Sequence, residues 1–194
     1  MVKKSNRNTR GRIISAAWKL FYEQGYEETT VEDIVFESET SKGSFYHYFD
    51  GKDALLSTLS SLFDEKYEEL TGLLTPEMTA MEQLLFLNRE LFHMIEDSIS
   101  LDLLARLYST QLTTNGEKHL LDHNRIYYKL LRKIIAKGQS EGQLSSRSNV
   151  NEMVKLYALC ERALLYDWCL CAGEYALTEY SAKVLPGFLS SFLP

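Results

Sequence analysis

The chain has 194 residues, of which 45% are hydrophobic, with 21 basic and 27 acidic side chains for a formal net charge of −6. That length can bury a substantial core shared between one small and one larger domain, and the composition excludes a disordered chain. The negative balance excludes a generic nucleic-acid coat, no apolar run approaches the ~20 residues of a membrane span, and three cysteines fit a reducing cytosol better than a disulfide framework.

Charge is polarised along the chain. Residues 1 to 19 carry six Lys or Arg and no acid, which leaves 15 basic against 27 acidic residues, or −12, for the remainder. A cationic arm over 1–8 can follow a DNA groove or backbone and add salt-dependent affinity, or it can be a solubilising tail. No apolar leader precedes the first helix, so a cytoplasmic location is expected.

The helical pattern AAWKLFYEQGY follows, and then TTVEDIVFESETSKGSFYHYFDGK over residues 29–52, which reads as two short capped helices around a tight turn, a helix-turn-helix. Thr29 with Glu32 forms a capping-box pattern that starts the first of these helices at Thr30, and Ser41 caps the second. On that second helix Phe45, Tyr48 and Phe49 share an inner face, while Gly43, Ser44, Tyr46 and His47 share an outer one and Thr40 projects outward just upstream. A helical Gly costs about 1 kcal/mol relative to Ala; Gly43 is accounted for if the helix must approach an external surface closely. Ser44 can meet a base edge, Tyr46 and His47 can reach phosphate oxygens, and Lys52, at the start of the next helix, can clamp a phosphate.

The segments TRGRIISAAWKLFYEQGYEETTVEDI and SKGSFYHYFDGKDALL resemble the DNA-binding domain of the TetR family of bacterial repressors, over roughly residues 9 to 56. The resemblance implies a homodimer on a pseudo-palindromic operator, with a small-molecule effector read by the C-terminal domain. By position it places Thr30, Lys42, Gly43, Ser44, Tyr46, His47 and Lys52 at the DNA. The chain departs from the family pattern at the turn, where Ser38 and Glu39 replace a small residue and Gly. If position 39 stays left-handed, Glu costs on the order of 1 kcal/mol there, and an altered turn is expected. Phe36 stands where the family is polar, and is expected to pack on the C-terminal domain, the alternative being an exposed position.

Beyond the motif the period stays helical, with a lever over about 55–70, a break at Gly72 and Pro76, and helices at about 78–97, 100–113, 117–141, 150–172 and 178–192, Gly142 being a good C-cap. The expected fold is all-α, about nine helices, with a DNA-binding domain over 1–55 and a larger effector-binding and dimerisation domain over 56–194. Val150, Met153, Val154, Tyr157, Glu161, Leu164, Leu165 and Trp168, with Tyr180, Val184, Leu185, Phe188, Leu189 and Phe192, supply two apolar helices suited to a four-helix dimer bundle, the alternative being internal core. Pro186 and Gly187 predict a kink in the last helix.

Effector contacts are sought among Phe92, His93, Tyr108, Gln111, His123 and Tyr127, with Arg106, His119 and Tyr128 as further polar or aromatic candidates. His119 and His123 lie one turn apart but lack a third metal ligand, and Cys160, Cys169 and Cys171 read as structural thiols, so no metal or cofactor is expected. No phosphate-cradling loop or catalytic constellation is present, and an enzyme is not expected. The expected function is a sequence-specific DNA-binding regulator, a repressor released by a small molecule; the alternative is a helical ligand- or partner-binding protein with degenerate DNA recognition.

Overall fold

Side-chain N-caps at Thr30, Ser41, Thr79 and Asn149 start four of the helices. The computed structural model describes residues 3–113 and 118–194, with side chains from Thr9 onward, and all regular structure among them is helical. In chain order the helices are α1 (Lys3–Glu23), α2 (Val31–Glu37), α3 (Lys42–Tyr48), α4 (Lys52–Leu56), α5 (Leu59–Thr71), α6 (Ala80–Ser98), α7 (Leu101–Thr113), α8 (Ile126–Ser140), α9 (Val150–Leu170) and α10 (Leu177–Leu189). The side chains of the basic arm, 1–8, lie outside the described residues.

Two compact units form, one from residues 1–61 with 102–117, the other from 62–101 with 118–194. The N-terminal unit's first segment runs to Ser61, and α7 groups almost entirely with that unit. Inside that unit Ile13, Ala17 and Phe21 of α1, Ile34 of α2, Phe45 of α3 and Leu55 of α4 are buried, and the Trp18 indole N–H donates to Thr58 Oγ1 at 2.9 Å. The expected lever is interrupted between α4 and α5, where the Ser57 and Thr58 hydroxyls donate back to the Ala54 and Leu55 carbonyls at 2.7 and 2.5 Å. Such side-chain bonds compete with the helical ladder.

In the C-terminal unit α6 packs against α8 and α10, and α9 packs against both of those. Gly138 permits the α6–α8 approach, since a Cβ there would come within 2.5 Å of Ala80 Cβ. The Glu96 carboxylate on α6 accepts the Leu177 and Thr178 N–H groups and so caps α10. The segment expected as helix over 117–141 becomes helical only at Ile126, after a single 3-10 turn at His119–Leu121. α10 runs through Pro186 to Leu189 and then tightens into a 3-10 turn, Ser190–Phe192.

The outward stripe of α9 corrects one expectation. Met153, Val154, Tyr157, Glu161, Leu164, Leu165 and Trp168, assigned above to a dimer face, are all buried within the chain. A second row, Leu159, Ala163, Tyr166 and Leu170, is the exposed one, at i, i+4, i+7 and i+11 spacing.

Candidate nucleic-acid interface

The helix-turn-helix is built by three local devices. The first is the α2 cap, one residue later than expected. Thr30 Oγ1 accepts the Asp33 N–H at 3.1 Å, and Asp33 Oδ2 accepts the Thr30 N–H at 2.8 Å, a reciprocal capping box. Thr29 is instead fully buried, its hydroxyl donating to the Gly25 carbonyl at 2.7 Å.

The turn is the second device. Glu39 does adopt the left-handed region, with φ +49°. Its N–H donates to the Phe36 carbonyl at 3.0 Å while Thr40 N–H reaches the Val35 carbonyl at 3.1 Å, the paired bonds of a Schellman ending. Arg12 from α1 holds the same residue, its guanidinium donating to the Glu39 carbonyl at 2.5 Å. The turn therefore keeps the geometry a Gly would give, with the strain of a Glu absorbed by three hydrogen bonds. Phe36, expected to pack, is 84% exposed.

Third, Ser41 caps α3 by accepting the Ser44 N–H at 3.0 Å, and Phe45 and Phe49 anchor the helix from inside. Gly43, Tyr46 and His47 face out, as does Lys42, while Ser44 and Thr40 are half-buried. A Cβ on Gly43 would meet only Ser41 Oγ, at 3.9 Å, so nothing inside the chain requires Gly there.

Cations beside this face are held by the chain itself. Lys42 pairs with Glu32, whose hydrogen bond raises the ammonium above its ordinary pKa, and Lys19 pairs with Glu37 at 2.6 Å. Lys52 donates to the Tyr26 and Glu27 carbonyls at 2.7 and 3.3 Å, with its ammonium 4.3 Å from the Tyr26 ring centre. Thr40 Oγ1 sits 2.8 Å from Ser38 Oγ, and the Thr30 hydroxyl is committed to Asp33. Lys42, Gly43, Tyr46 and His47 thus lie together on one exposed face, whereas Lys52 and Thr30 brace the elements that present it.

The six effector candidates do not gather in one unit. Tyr108 and Gln111 belong to the N-terminal unit, and Phe92, His93, His123 and Tyr127 to the C-terminal one. Phe92 is core, His93 is exposed and 3.4 Å from Asp97, and His123 is exposed with its ring 4.8 Å from that of Tyr128. Among the described residues no group of three or more His, Cys, Asp or Glu could hold a metal. Burial pushes the Cys160 and Cys169 thiols up to about 11, which keeps them protonated.

Tyr127 leads to a feature the sequence reading passed over. Its hydroxyl donates to Glu161 Oε2 at 2.6 Å, Asn88 donates to Oε1 at 2.8 Å, and Ser181 donates to Asn88 Oδ1 at 2.5 Å. Burial raises the Glu161 carboxyl above its ordinary range, against the pull of those donors. The available signal was an acid in the apolar stripe of α9. Beside Asn88 and Ser181, a groove of ≈ 630 Å³ opens between α6 and α10, walled by Leu85, Phe86, Ala182 and Pro186; none of the six candidates lines it.

Residues 13–59 match the family model described as bacterial regulatory proteins, tetR family. The regulator HbdR of Aromatoleum is 47% identical over 62 residues, 31% of this chain and 27% of that protein. The first curated relatives are each matched over about a third or less of their own length. At the level of whole chains, the Thermus thermophilus FadR structure, a TetR-family repressor in complex with lauroyl-CoA, superposes with a TM-score of 0.75 at 26% identity, covering 95% of both chains. Bacillus subtilis FadR in complex with stearoyl-CoA shares the fold, with a TM-score of 0.69 at 23% identity over 94% of this chain and 99% of that one. Residues 13–59 thus carry the regulatory segment of the tetR family, and the chain as a whole shares its fold with TetR-family structures.

Proposed function

We propose that this chain is a sequence-specific DNA-binding transcriptional repressor, acting as a homodimer and released from its operator by a small molecule. The observation that carries it is the outer face of α3. A side chain at Gly43 would meet only Ser41 Oγ, at 3.9 Å, and Lys42, Tyr46 and His47 are exposed around it on a helix anchored by Phe45 and Phe49. A surface so arranged suits close approach of backbone to a duplex, with hydroxyl and imidazole groups to bond phosphates or base edges.

The exposed row Leu159, Ala163, Tyr166 and Leu170 on α9, together with Tyr180 of α10, supports pairing of two copies through the last two helices. Two recognition helices carried about 34–36 Å apart would then enter successive major grooves of a pseudo-palindrome. The effector must bind the DNA-incompetent arrangement more tightly than the competent one. Acyl-CoA thioesters are the first class to try, since two structures of similar fold are complexes with lauroyl-CoA and stearoyl-CoA.

One observation favours the alternative of degenerate DNA recognition, namely that Lys42 and Lys52 are engaged within the chain. A gel shift on DNA upstream of the chain's own gene separates the two. Native protein retarding that DNA, with Tyr46→Ala weakened by about 1–3 kcal/mol and the dimer intact, supports the repressor; native protein that binds it no better than random DNA supports the alternative. Release of the complex by lauroyl-CoA tests the effector class.

A further inference from the structure

Arg106 was sought in an effector cavity, but it sits in the N-terminal unit, against the loop that joins α1 to α2. Its guanidinium lies 4.9 Å from the Tyr26 ring centre, forms an ion pair with Glu27, and donates through Nε to Asp102 at 2.8 Å, one turn earlier on α7. Lys52 approaches the same ring and bonds two carbonyls of the same loop. The Tyr26 hydroxyl donates to Asp53, and Phe21 packs on the ring with centroids 4.9 Å apart. Tyr26 is thus gripped by two cations and a carboxylate from two helices, α4 and α7, and is only 4% exposed.

The loop so gripped ends on the α2 cap. Thr29 N–H donates to the Tyr26 carbonyl at 3.3 Å, Thr29 is fully buried, and Thr30 beside it starts α2. Stability alone is a poor account of Arg106. Its side chain is 32% exposed and its partners Glu27 and Asp102 are 66% and 55% exposed; pairs of that kind contribute about 0–1 kcal/mol, while ordering a long side chain costs a comparable amount. What the pairing does supply is direction, because Asp102 fixes the guanidinium plane before it meets the loop.

We propose that Arg106 is a positioning residue for DNA recognition: it fixes the α1–α2 loop from α7 and thereby sets where α2 begins, and with α2 the turn that presents α3, without touching DNA itself. The inference rests on the DNA-binding reading above, but its structural half is independent of it.

The test compares Arg106→Gln and Arg106→Lys with the native full-length protein in three measurements. In hydrogen exchange, the amides of residues 25–30 should exchange about tenfold faster in Arg106→Gln, with the α1 and α3 core amides unchanged and the melting temperature within ~2 °C. On the DNA that the native protein retards, Arg106→Gln should bind about tenfold more weakly with an unchanged slope of log K against log salt, because no phosphate contact is lost. Arg106→Lys, which keeps the charge but not the guanidinium plane that Asp102 holds, should fall between native and Arg106→Gln. Unchanged loop exchange overturns the proposal, as does a salt slope reduced by about one unit, which would make Arg106 a direct phosphate contact. If the native protein binds no specific DNA, the regulator reading fails, while the exchange measurement still decides whether Arg106 holds the loop.

Discussion

Gly43→Ala should push stability and DNA binding in opposite directions. The Gly43 backbone lies outside the left-handed region, and an added Cβ would meet only Ser41 Oγ at 3.9 Å, an ordinary contact. Ala therefore fits the folded helix without strain and narrows the unfolded ensemble, which should stabilise the protein by about 0.4–1 kcal/mol. At roughly 2–4 °C per kcal/mol for a chain of this size, the melting temperature should rise by about 1–4 °C. At the DNA, the methyl group would occupy the space that lets the α3 backbone approach a base edge or phosphate. Losing one close contact should cost about 1–3 kcal/mol, roughly 5- to 150-fold in affinity. Differential scanning calorimetry and fluorescence anisotropy on one preparation measure both quantities. Equal or tighter binding by the stabilised variant would refute the close-approach account of Gly43, and a lowered melting temperature would refute the packing account.

Two further outcomes are expected from the C-terminal unit. Leu159→Glu combined with Leu170→Glu changes side chains that are 52% and 66% exposed, so the fold should survive while sedimentation shifts from dimer to monomer at micromolar concentration; an unchanged dimer would place the interface elsewhere. Glu161 is held above its ordinary pKa mainly by burial, so the native state binds its proton more tightly than the unfolded chain. The stability this gives is full below about pH 4 and is lost as pH rises through the raised value. Glu161→Gln cannot ionise, and its melting temperature relative to native should climb from about pH 4 to pH 8. A pH-independent difference between the two proteins would show that the buried carboxyl titrates as an ordinary one.

Local signals carried the helix-turn-helix well. Ser41 and its N3 partner, the apolar pair Phe45 and Phe49, and the exposed Gly43 all lie within one short segment, and each behaves as its spacing predicted. The α2 cap slipped by one residue because two overlapping patterns, Thr29 with Glu32 and Thr30 with Asp33, both satisfy the capping rule. Burial of Thr29 under the Gly25 carbonyl decides between them, and that depends on the fold of the preceding loop. Interruption of the lever was hidden for a similar reason. Leu55, Leu56 and Leu59 keep the apolar period, and only the back-bonding of Ser57 and Thr58 breaks the ladder.

Faces were harder to read than elements. α9 is apolar on two sides, so periodicity alone could not tell the inward row through Tyr157 and Leu164 from the outward row through Leu159 and Leu170. Interactions between distant segments were harder still: Glu161 bonds Asn88, 73 residues away in the chain, and Arg106 pairs with Glu27, 79 residues away (106 − 27). The Glu39 turn was identified as the place of departure from the family pattern, yet its left-handed geometry is retained, with Arg12 supplying a bond no local rule foresaw.

Sequence-specific binding by the outer face of α3 is the central claim, and sequencing the genomic fragments that the purified protein retains at about 0.15 M salt tests it most directly. The account predicts a small set of fragments sharing a pseudo-palindrome whose half-site centres lie about one helical turn apart, with enrichment reduced for Tyr46→Ala and Gly43→Ala. Fragments without a common sequence, or the same enrichment from the two variants, would contradict it.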